Sequence, residues 1–189
     1  MTQTKPDEAC WPPGTVFTVG HSTLPIERFV GLLKTYAIEQ LADIRTIPRS
    51  RHNPQYNRDA LAPALEKAGI AYVPMQGLGG LRHPLKNSPN TGWRNRSFRG
   101  YADYMQTDGF QEALQSLIDM SRLKRVAIMC AEAVPWRCHR SLVADALEIR
   151  GVPVVEILSE QSYRAHTLTP FAHVEGTRIT YPPQQGSST

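Results

Sequence analysis

The sequence predicts one α/β domain, a Rossmann-like three-layer fold with a mostly parallel β-sheet and helices on both faces. Short β-rich runs alternate with segments whose apolar residues recur at three- and four-residue spacing. That alternation is typical of βαβ units, whose crossover helices cover a parallel sheet. A chain of 189 residues has the length of one such domain. We expect the domain to span residues 14–181, between an N-terminal tail (1–13) and a C-terminal tail (182–189).

The elements of the N-terminal half can be assigned in order. Residues 15–19 (TVFTV) indicate a buried strand that stops at a Gly-His-Ser turn. Apolar positions at helical spacing over 26–37 predict the first helix, and 40–45 (QLADIR) predicts the second strand. Pro63 leaves the start of the next helix open, because proline is tolerated only in a first helical turn. Residues 70–75 complete this half as a third strand.

The C-terminal half continues the alternation. A helix capped by Asp108 is predicted first, followed by a strand over residues 125–130 (RVAIMC). Another amphipathic helix is expected over 139–150, because its apolar positions recur on one face. A fifth strand follows over 152–158, and a short sixth strand is expected at 179–181.

Positive charge gathers in two segments that are predicted to be loops. The net charge is +4, and arginines concentrate within residues 45–58 and 82–99. The second segment belongs to residues 76–100, whose five glycines and two prolines predict a long loop. Loops of that length are usually functional lids or disordered segments. A basic rim on the domain would attract phosphates, and the alternative is an ordinary solvated basic surface.

The sequence also indicates where in the cell the protein is expected. The chain has no apolar run long enough to span a bilayer, and residues 1–13 lack the apolar core of a secretory signal. Three cysteines, an odd number, argue against a disulfide-stapled secreted scaffold. We therefore expect a cytoplasmic protein that has no membrane partner.

Polar and reactive side chains gather at the predicted carboxyl ends of three strands. Ligands of open parallel sheets bind beyond those ends. The first strand ends at a GHS turn, the second carries an aspartate and an arginine, and the fourth runs into a Cys-Ala-Glu sequence. The helix after the fourth strand opens with Cys-His-Arg. We therefore predict one shared cleft formed by His21, Asp43, Arg45, Cys130, Glu132, Cys138, His139 and Arg140.

Several short motifs resemble those of one protein family. They are TVGHS (18–22), ADIR (42–45), LGG (78–80), YADYM (101–105), MCAE (129–132) and PWRCHR (135–140). Over roughly residues 15–160, the chain is similar to the domain-of-unknown-function family numbered 488. Many members of that family have VDVR where this chain has ADIR, a change that keeps Asp43 and Arg45. The resemblance implies an α/β fold and a shared cleft, and it implies no particular reaction.

Four residues of the predicted cleft are candidates for catalysis, namely Glu132, Asp43, His21 and Cys130. The two carboxylates suit a general acid, a general base or a nucleophile. His21 suits proton transfer near neutral pH, and the Cys130 thiol suits nucleophilic attack if arginines lower its pKa. Three of these residues have a structural alternative. Glu132 could form an ion pair with Arg45 or Arg140, and His21 could donate a hydrogen bond that fixes a turn. Cys130 could be a buried, inert thiol.

The other candidates are predicted to bind substrate. Arg45 and Arg140 offer forked donors to a phosphate or carboxylate, and the helix start at Cys138 favours anions. Aromatic residues interleaved with arginines in the loops suit stacking with nucleotide bases, and the alternative is that they pack among themselves. The predicted binding set is Arg45, Ser22, Cys138, His139, Arg140, Tyr56, Arg99 and Tyr101.

Three functions remain open from sequence. The first is an enzyme, a hydrolase or transferase, that acts on a phosphate-bearing nucleotide-like or nucleic-acid substrate. The second is a non-catalytic nucleic-acid-binding module, and the third is a metal or thiol redox protein that uses Cys130 and Cys138. The sequence lacks phosphate-loop and nucleophile-elbow motifs, and it lacks the C-x₂-C pairs of zinc sites. We predict no cofactor and no metal ion, and an anionic small molecule or nucleic acid as partner.

Overall fold

The fold is a mostly parallel β-sheet with helices on both faces, which confirms the predicted fold class. The structure, a computed structural model, describes residues 10–184. Its strands are β1 (Val16–Gly20), β2 (Gln40–Asp43), β3 (Ala71–Pro74), β4 (Val126–Cys130), β5 (Val154–Ile157), β6 (Tyr163–Ala165), β7 (His173–Glu175) and β8 (Arg178–Thr180). Its α-helices are α1 (Ile26–Thr35), α2 (Arg58–Lys67), α3 (Arg96–Tyr104), α4 (Asp108–Leu123) and α5 (Arg140–Glu148).

The order of the strands brings three carboxyl ends together. The main sheet runs β3-β2-β4-β1-β5-β6, and its first five strands are parallel while β6 is antiparallel to β5. Strand β4 therefore lies between β2 and β1. Its last residue, Cys130, pairs with Gly20 at the end of β1, and Met129 pairs with Asp43 at the end of β2. The residues that follow these three strands must share one edge of the sheet.

Each face of the sheet has its own apolar core, because successive side chains of a strand point to opposite faces. Leu41 belongs to the core that contains residues of α1 and α2, whereas its neighbour Ala42 belongs to the core that contains residues of α4 and α5. Phe29 of α1 and Leu117 of α4 are fully buried in these two cores. Burial on both faces explains the nearly continuous apolar runs of the strands. In the described part of the chain, each helix is too short or too polar to cross a membrane.

Helix α2 starts earlier than the chemistry of proline predicts. It follows its N-cap residue Asn57, so Pro63 lies in the helix interior and not in the first turn. Proline has no N–H to donate to the carbonyl of Asp59, which costs one intrahelical hydrogen bond. The helix nevertheless buries Leu61 and Leu65 completely. Tertiary packing of its apolar face therefore outweighs the local cost.

The long segment 76–100 is packed against the domain and contains the beginning of α3, which the sequence analysis missed. Asn95 caps this helix, because its side chain accepts hydrogen bonds from the backbone N–H groups of Ser97 and Phe98. The buried carboxylate of Asp103 in α3 accepts hydrogen bonds from three loop residues, Leu85, Ser88 and Asn90. These bonds make the loop a wall of the domain and not the disordered segment that its composition allowed.

The C-terminal strands also differ from the prediction. Strand β6 was not predicted, and the strand expected at 179–181 is β8, which pairs with β7 in a separate two-stranded sheet. Trp11, within the predicted N-terminal tail, packs against aromatic side chains of β1 and β6. Other parts of the predicted tails, residues 1–9 and 185–189, lie outside the described residues.

A buried charged network joins α5 and β5 to the segment that follows them. We call Asp145, Glu156, His166 and Tyr181 the closed cluster. The two ring nitrogens of His166 each lie 2.8 Å from a carboxylate oxygen, one of Asp145 and one of Glu156. Tyr181 donates to the second oxygen of Asp145 at 2.8 Å. Burial alone would lower the pKa of His166, but its hydrogen bonds to the two carboxylates outweigh burial and raise the pKa to about 9.

Candidate functional site

A cavity of about 540 Å³ opens at the edge where β1, β2 and β4 end. We call this cavity the cleft. Its walls come from the turn after β1, the loop after β2, the segment that leads into α3 and the segment between β4 and α5. Segments that are far apart in sequence therefore meet in space. The predicted site residues that line the cleft are His21, Arg45, Tyr101, Cys130, Glu132, Cys138 and His139.

The close contact between the first and fourth strands depends on a glycine. A Cβ atom on Gly20 would lie 1.9 Å from the carbonyl oxygen of Glu132, so only glycine fits at this position. The backbone N–H groups of His21 and Ser22 then donate to the carbonyls of Cys130 and Ala131, at 3.0 and 2.9 Å. These two bonds extend the strand pairing beyond the sheet. They fix the GHS turn against the segment that carries the cysteines.

Arg45 is held in place by a buried carboxylate. Its Nε and Nη2 atoms donate to the two oxygens of Asp43, at 2.9 and 2.7 Å. Asp43 also accepts hydrogen bonds from the backbone N–H of Arg45 and from the Tyr72 hydroxyl. Four donors therefore occupy a carboxylate that is only 2% exposed and does not line the cleft. This geometry makes Asp43 a positioning residue for Arg45.

His21 is neutral at physiological pH. Its ring stacks on Tyr56 with the centroids 3.8 Å apart, and its Nδ1 lies 2.8 Å from the carbonyl of Ser22. Burial lowers the pKa of His21 to about 4, because the charged ring would lose its hydration. The bond to Ser22 assigns the proton to Nδ1, which leaves Nε2 as an acceptor facing Arg45 Nη1 at 3.4 Å. His21 thus supports the orientation of Arg45.

The two cysteines of the cleft differ in charge. A hydrogen bond from the Cys130 thiol, assisted by the positive charge of Arg140, lowers the pKa of Cys138 to about 6 in spite of burial. The same hydrogen bond, together with burial, raises the pKa of Cys130 to about 12. The backbone N–H of Arg140 also donates to Cys138 Sγ, at 3.5 Å. At neutral pH the thiolate is therefore on Cys138, whereas the sequence analysis considered Cys130 as the nucleophile.

His139 is the imidazole next to this sulfur. Its Nε2 lies 3.1 Å from the carbonyl of Ile44, so that nitrogen carries a proton. Its Nδ1 lies 3.7 Å from Cys138 Sγ and can exchange a proton with it. A Cβ atom on Gly80 would lie 3.1 Å from Nδ1. The glycines of the LGG motif therefore make room for the ring, which explains the motif without a phosphate-binding role.

Arg140 is the largest fully buried side chain of the described residues. Its Nη2 donates to the backbone carbonyl of Glu132 at 2.6 Å, whereas Nε and Nη1 are buried without a hydrogen-bond partner in the described structure. Buried guanidinium groups usually face a carboxylate. The positive charge of this guanidinium is one of the causes that lower the pKa of Cys138.

Glu132 has an exposed side chain at the mouth of the cleft. The predicted ion pair with Arg45 or Arg140 does not occur in the described structure, because Arg45 binds Asp43 and Arg140 binds the main chain of Glu132. The carboxylate is thus open to solvent. The role of Glu132 as a general acid or base stays a prediction.

Four predicted binding residues do not line the cleft, and one of them is the fully buried Arg140. Tyr56 is buried beneath His21 and donates to the carbonyl of Leu24. The guanidinium of Arg99 donates to the carbonyl of Trp93. Ser22 has a positive φ of 47° and shapes the turn. These residues support the walls, whereas Tyr101 presents its ring to the cleft.

Other lining residues were not chosen from the sequence. Arg49 and Arg137 add positive charge, and Phe98 adds an aromatic face. Ile47 and Leu81 line the mouth with 60% and 71% of their surface exposed. The basic and aromatic loops were the available signal for Arg49 and Phe98, and Arg137 lies in the PWRCHR motif. The two exposed aliphatic residues gave no sequence signal, because isolated apolar residues in loops are common.

Within residues 10–184, one set of side chains has the donor types and spacing of a metal site. The Sγ atoms of Cys130 and Cys138 and a ring nitrogen of His139 all lie within 4.8 Å of one another. Two sulfurs and an imidazole suit zinc or copper(I). The buried charge of Arg140 beside Cys138 opposes a cation, however, and is already balanced by one thiolate. We therefore assign no metal to this set.

Comparisons with known proteins identify a family but no function. Residues 25–147 match the family described as "Domain of unknown function DUF488". This span includes Asp43, Arg45 and the segment from Cys130 to Arg140. The search of curated proteins gave no match. The search of solved structures gave none either.

Proposed function

Since the chain belongs to the DUF488 family, whose description names no reaction, we propose a function from the cleft. The protein is an enzyme that binds a phosphate-bearing, nucleotide-like or nucleic-acid substrate and attacks it with the Cys138 sulfur. One observation carries this proposal: the Cys138 sulfur lines a cleft with several arginines and accepts a hydrogen bond from the backbone N–H of Arg140, whose guanidinium is buried. A charged sulfur held in this way has the character of an activated nucleophile.

The lining of the cleft supports an anionic substrate. Arg45, Arg49 and Arg137 line it, whereas Glu132 is its one acidic lining residue in the described structure. Forked guanidinium donors match the oxygens of a phosphate. The aromatic rings of Phe98 and Tyr101 offer a face on which the base of a nucleotide can stack.

The reaction consistent with this lining is a displacement at phosphorus. Cys138 Sγ forms a bond to phosphorus while the bond to the leaving oxygen breaks, and that oxygen takes a proton from solvent. Glu132 then removes a proton from a water molecule or second hydroxyl. The resulting oxygen nucleophile attacks phosphorus and releases the thiolate. Arg45, held by Asp43 and His21, stabilises the charge on the phosphoryl oxygens.

Selective alkylation tests the assignment of the nucleophile. We expect iodoacetamide to modify Cys138 with a rate that rises through pH 6 and levels off, while Cys130 stays unmodified at neutral pH. Inorganic phosphate or a mononucleotide should slow the reaction of Cys138. Peptide mapping by mass spectrometry reads out each thiol separately, and exposed Cys10 serves as the unprotected reference.

Turnover on a panel of nucleotides and 5′- or 3′-phosphorylated oligonucleotides tests the reaction. Cys138→Ser should lower turnover about 10³-fold or more, and Glu132→Gln about 10²-fold. The matched control is Cys10→Ser, which replaces an exposed cysteine outside the cleft and should keep the full activity. Full activity of Cys138→Ser, or modification of Cys130 ahead of Cys138, would contradict the proposal.

A second candidate function is nucleic-acid binding without catalysis. It is favoured by the exposed arginines on two sides of the cleft mouth, Arg49 and Arg51 on one side and Arg94 and Arg96 on the other. This function predicts an affinity for single-stranded nucleic acid that falls steeply with salt. The affinity would be the same in Cys138→Ser and Glu132→Gln, and no substrate of the panel would be turned over.

A further inference from the structure

The sulfur atom next to the proposed nucleophile has no role in the displacement at phosphorus. Cys130 is the last residue of β4, and Cys138 precedes the first turn of α5. Their Sγ atoms lie within 4.8 Å of each other. Both thiols are free in the structure, and both line the cleft. The pair is therefore accessible to a small oxidant from the same opening.

We propose that Cys130 and Cys138 form a redox-active pair, in which Cys138 reacts with a hydroperoxide and Cys130 resolves the product as a disulfide. This inference rests on the reactive sulfur of the proposed function, but not on its phosphate substrate. The peroxide is the oxidant. A hydroperoxide contains a polar oxygen–oxygen bond, which thiolates cleave by nucleophilic attack.

The first step oxidises Cys138. Its thiolate attacks the terminal oxygen of the hydroperoxide, a sulfur–oxygen bond forms, and the oxygen–oxygen bond breaks. The leaving alkoxide or hydroxide takes a proton from solvent. Cys138 becomes a sulfenic acid, and the peroxide is reduced to an alcohol or to water.

The second step uses the loss of charge on Cys138. The neutral sulfenic acid no longer stabilises the proton of Cys130 as the thiolate did, while Arg140 and His139 remain nearby. The proton of Cys130 can therefore pass to His139 Nδ1, and the new thiolate attacks Cys138 Sγ. A sulfur–sulfur bond forms, the sulfur–oxygen bond breaks, and hydroxide leaves as water with the proton from His139.

The geometry also predicts that the disulfide is easy to reduce. The disulfide is neutral, so the buried Arg140 guanidinium would lose the negative group that compensates it. The thiolate form keeps that compensation. Reduction is therefore favoured, as in oxidoreductases whose reduced state is electrostatically stabilised.

Intact-mass measurement on three variants tests the proposal. All three carry Cys10→Ser, because Cys10 is an exposed free thiol that would also react. One equivalent of hydrogen peroxide should remove two hydrogen atoms from the variant that keeps both cleft cysteines, and dithiothreitol should restore the mass. Adding Cys130→Ser should give a sulfenic acid that dimedone traps and excess peroxide converts to sulfinic acid. Adding Cys138→Ser should leave the protein unoxidised under the same conditions.

Several results would overturn the inference. They are direct formation of sulfinic acid with both cysteines present, equal oxidation of Cys130 after Cys138→Ser, and a purified protein that retains zinc and protects both thiols. The mass readout is independent of phosphate turnover. An absence of turnover in the nucleotide panel with a reversible disulfide would reject the proposed function alone, and turnover without a disulfide would reject this inference alone.

Discussion

The cleft and the closed cluster both bury a histidine among charged groups, yet their electrostatics are opposite. In the closed cluster, two carboxylates flank His166 and raise its pKa to about 9. In the cleft, His21 faces Arg45 and has a pKa lowered by burial to about 4. A carboxylate is near each ring, but Asp43 is already occupied by Arg45. The number of free acceptors, and not burial alone, decides which histidine is charged.

The two regions also differ in how completely their buried polar atoms are hydrogen-bonded. Each polar side-chain atom of His166, Asp145 and Tyr181 has a hydrogen-bond partner within the described residues. Arg140, whose backbone N–H donates to the cleft residue Cys138, has two buried side-chain nitrogen atoms with no partner among the described residues. Natural proteins leave few such groups without a reason. A satisfied network stabilises the fold, whereas the cleft holds groups whose partners can be exchanged for a ligand.

The largest effect on stability is therefore expected in the closed cluster. Asp145→Asn removes a buried negative charge from His166 and points an amide donor at other donors, so the free energy of unfolding should fall by about 3 to 5 kcal/mol. Urea denaturation at pH 7 measures this change. Asp119→Asn is the control, because Asp119 has only exposed side-chain partners, Arg122 and Gln115, and the change should alter stability by less than about 1 kcal/mol. Equal effects of the two substitutions would show that the closed cluster has no special role.

Sequence reasoning located the cleft better than it located the closed cluster. Strand ends are visible as apolar runs followed by polar residues, so the meeting of His21, Arg45 and Cys130 could be predicted from the parallel topology. The closed cluster depends on His166, which lies in a loop after an unpredicted strand. Its partners are spread over elements that show no common sequence pattern. Only the tertiary packing of the C-terminal segment reveals it.

The roles of individual cleft residues were also beyond sequence reasoning. The sequence alone does not distinguish Cys130 from Cys138. Only their contacts with Arg140 and with each other decide which of the two thiols is ionised. Asp43 was predicted to be a catalytic acid or base, because the sequence does not reveal that four donors occupy its oxygens. The catalytic role of Asp43 stays a prediction, and the geometry favours positioning.

The contributions of the cleft and of the closed cluster to stability should change in opposite directions as the pH rises. Cys138 has a folded pKa of about 6, below its ordinary value of 9.0, so its contribution to stability grows as the pH rises from about 6 to 9. His166 has a folded pKa of about 9, above its ordinary value of 6.5. Its contribution is complete below about pH 6.5 and is lost as the pH rises through about 9.

Denaturation between pH 6 and 9 separates these two contributions. The stability difference between the wild type and Cys138→Ser should increase with pH, because only the wild type gains from the ionised sulfur. The difference between the wild type and His166→Gln should decrease over the same range. Parallel slopes for both variants would contradict the comparison of the two regions. A reversed slope for His166→Gln would mean that the imidazole is neutral in the closed cluster.

The smallest expected effect lies at acidic pH and involves His21. Its folded pKa of about 4 is below its ordinary value of 6.5, so the unfolded chain binds a proton that the folded protein does not. Stability should therefore fall as the pH drops from 6.5, by about 2 kcal/mol at pH 5. In His21→Gln, an uncharged side chain that can still donate to the Ser22 carbonyl, this part of the acid sensitivity should disappear. Exposed His52 provides the control, since His52→Gln should leave the acid sensitivity unchanged. If His21→Gln kept the full sensitivity, the folded and unfolded pKa values of His21 would be equal, and the contrast with His166 would be lost.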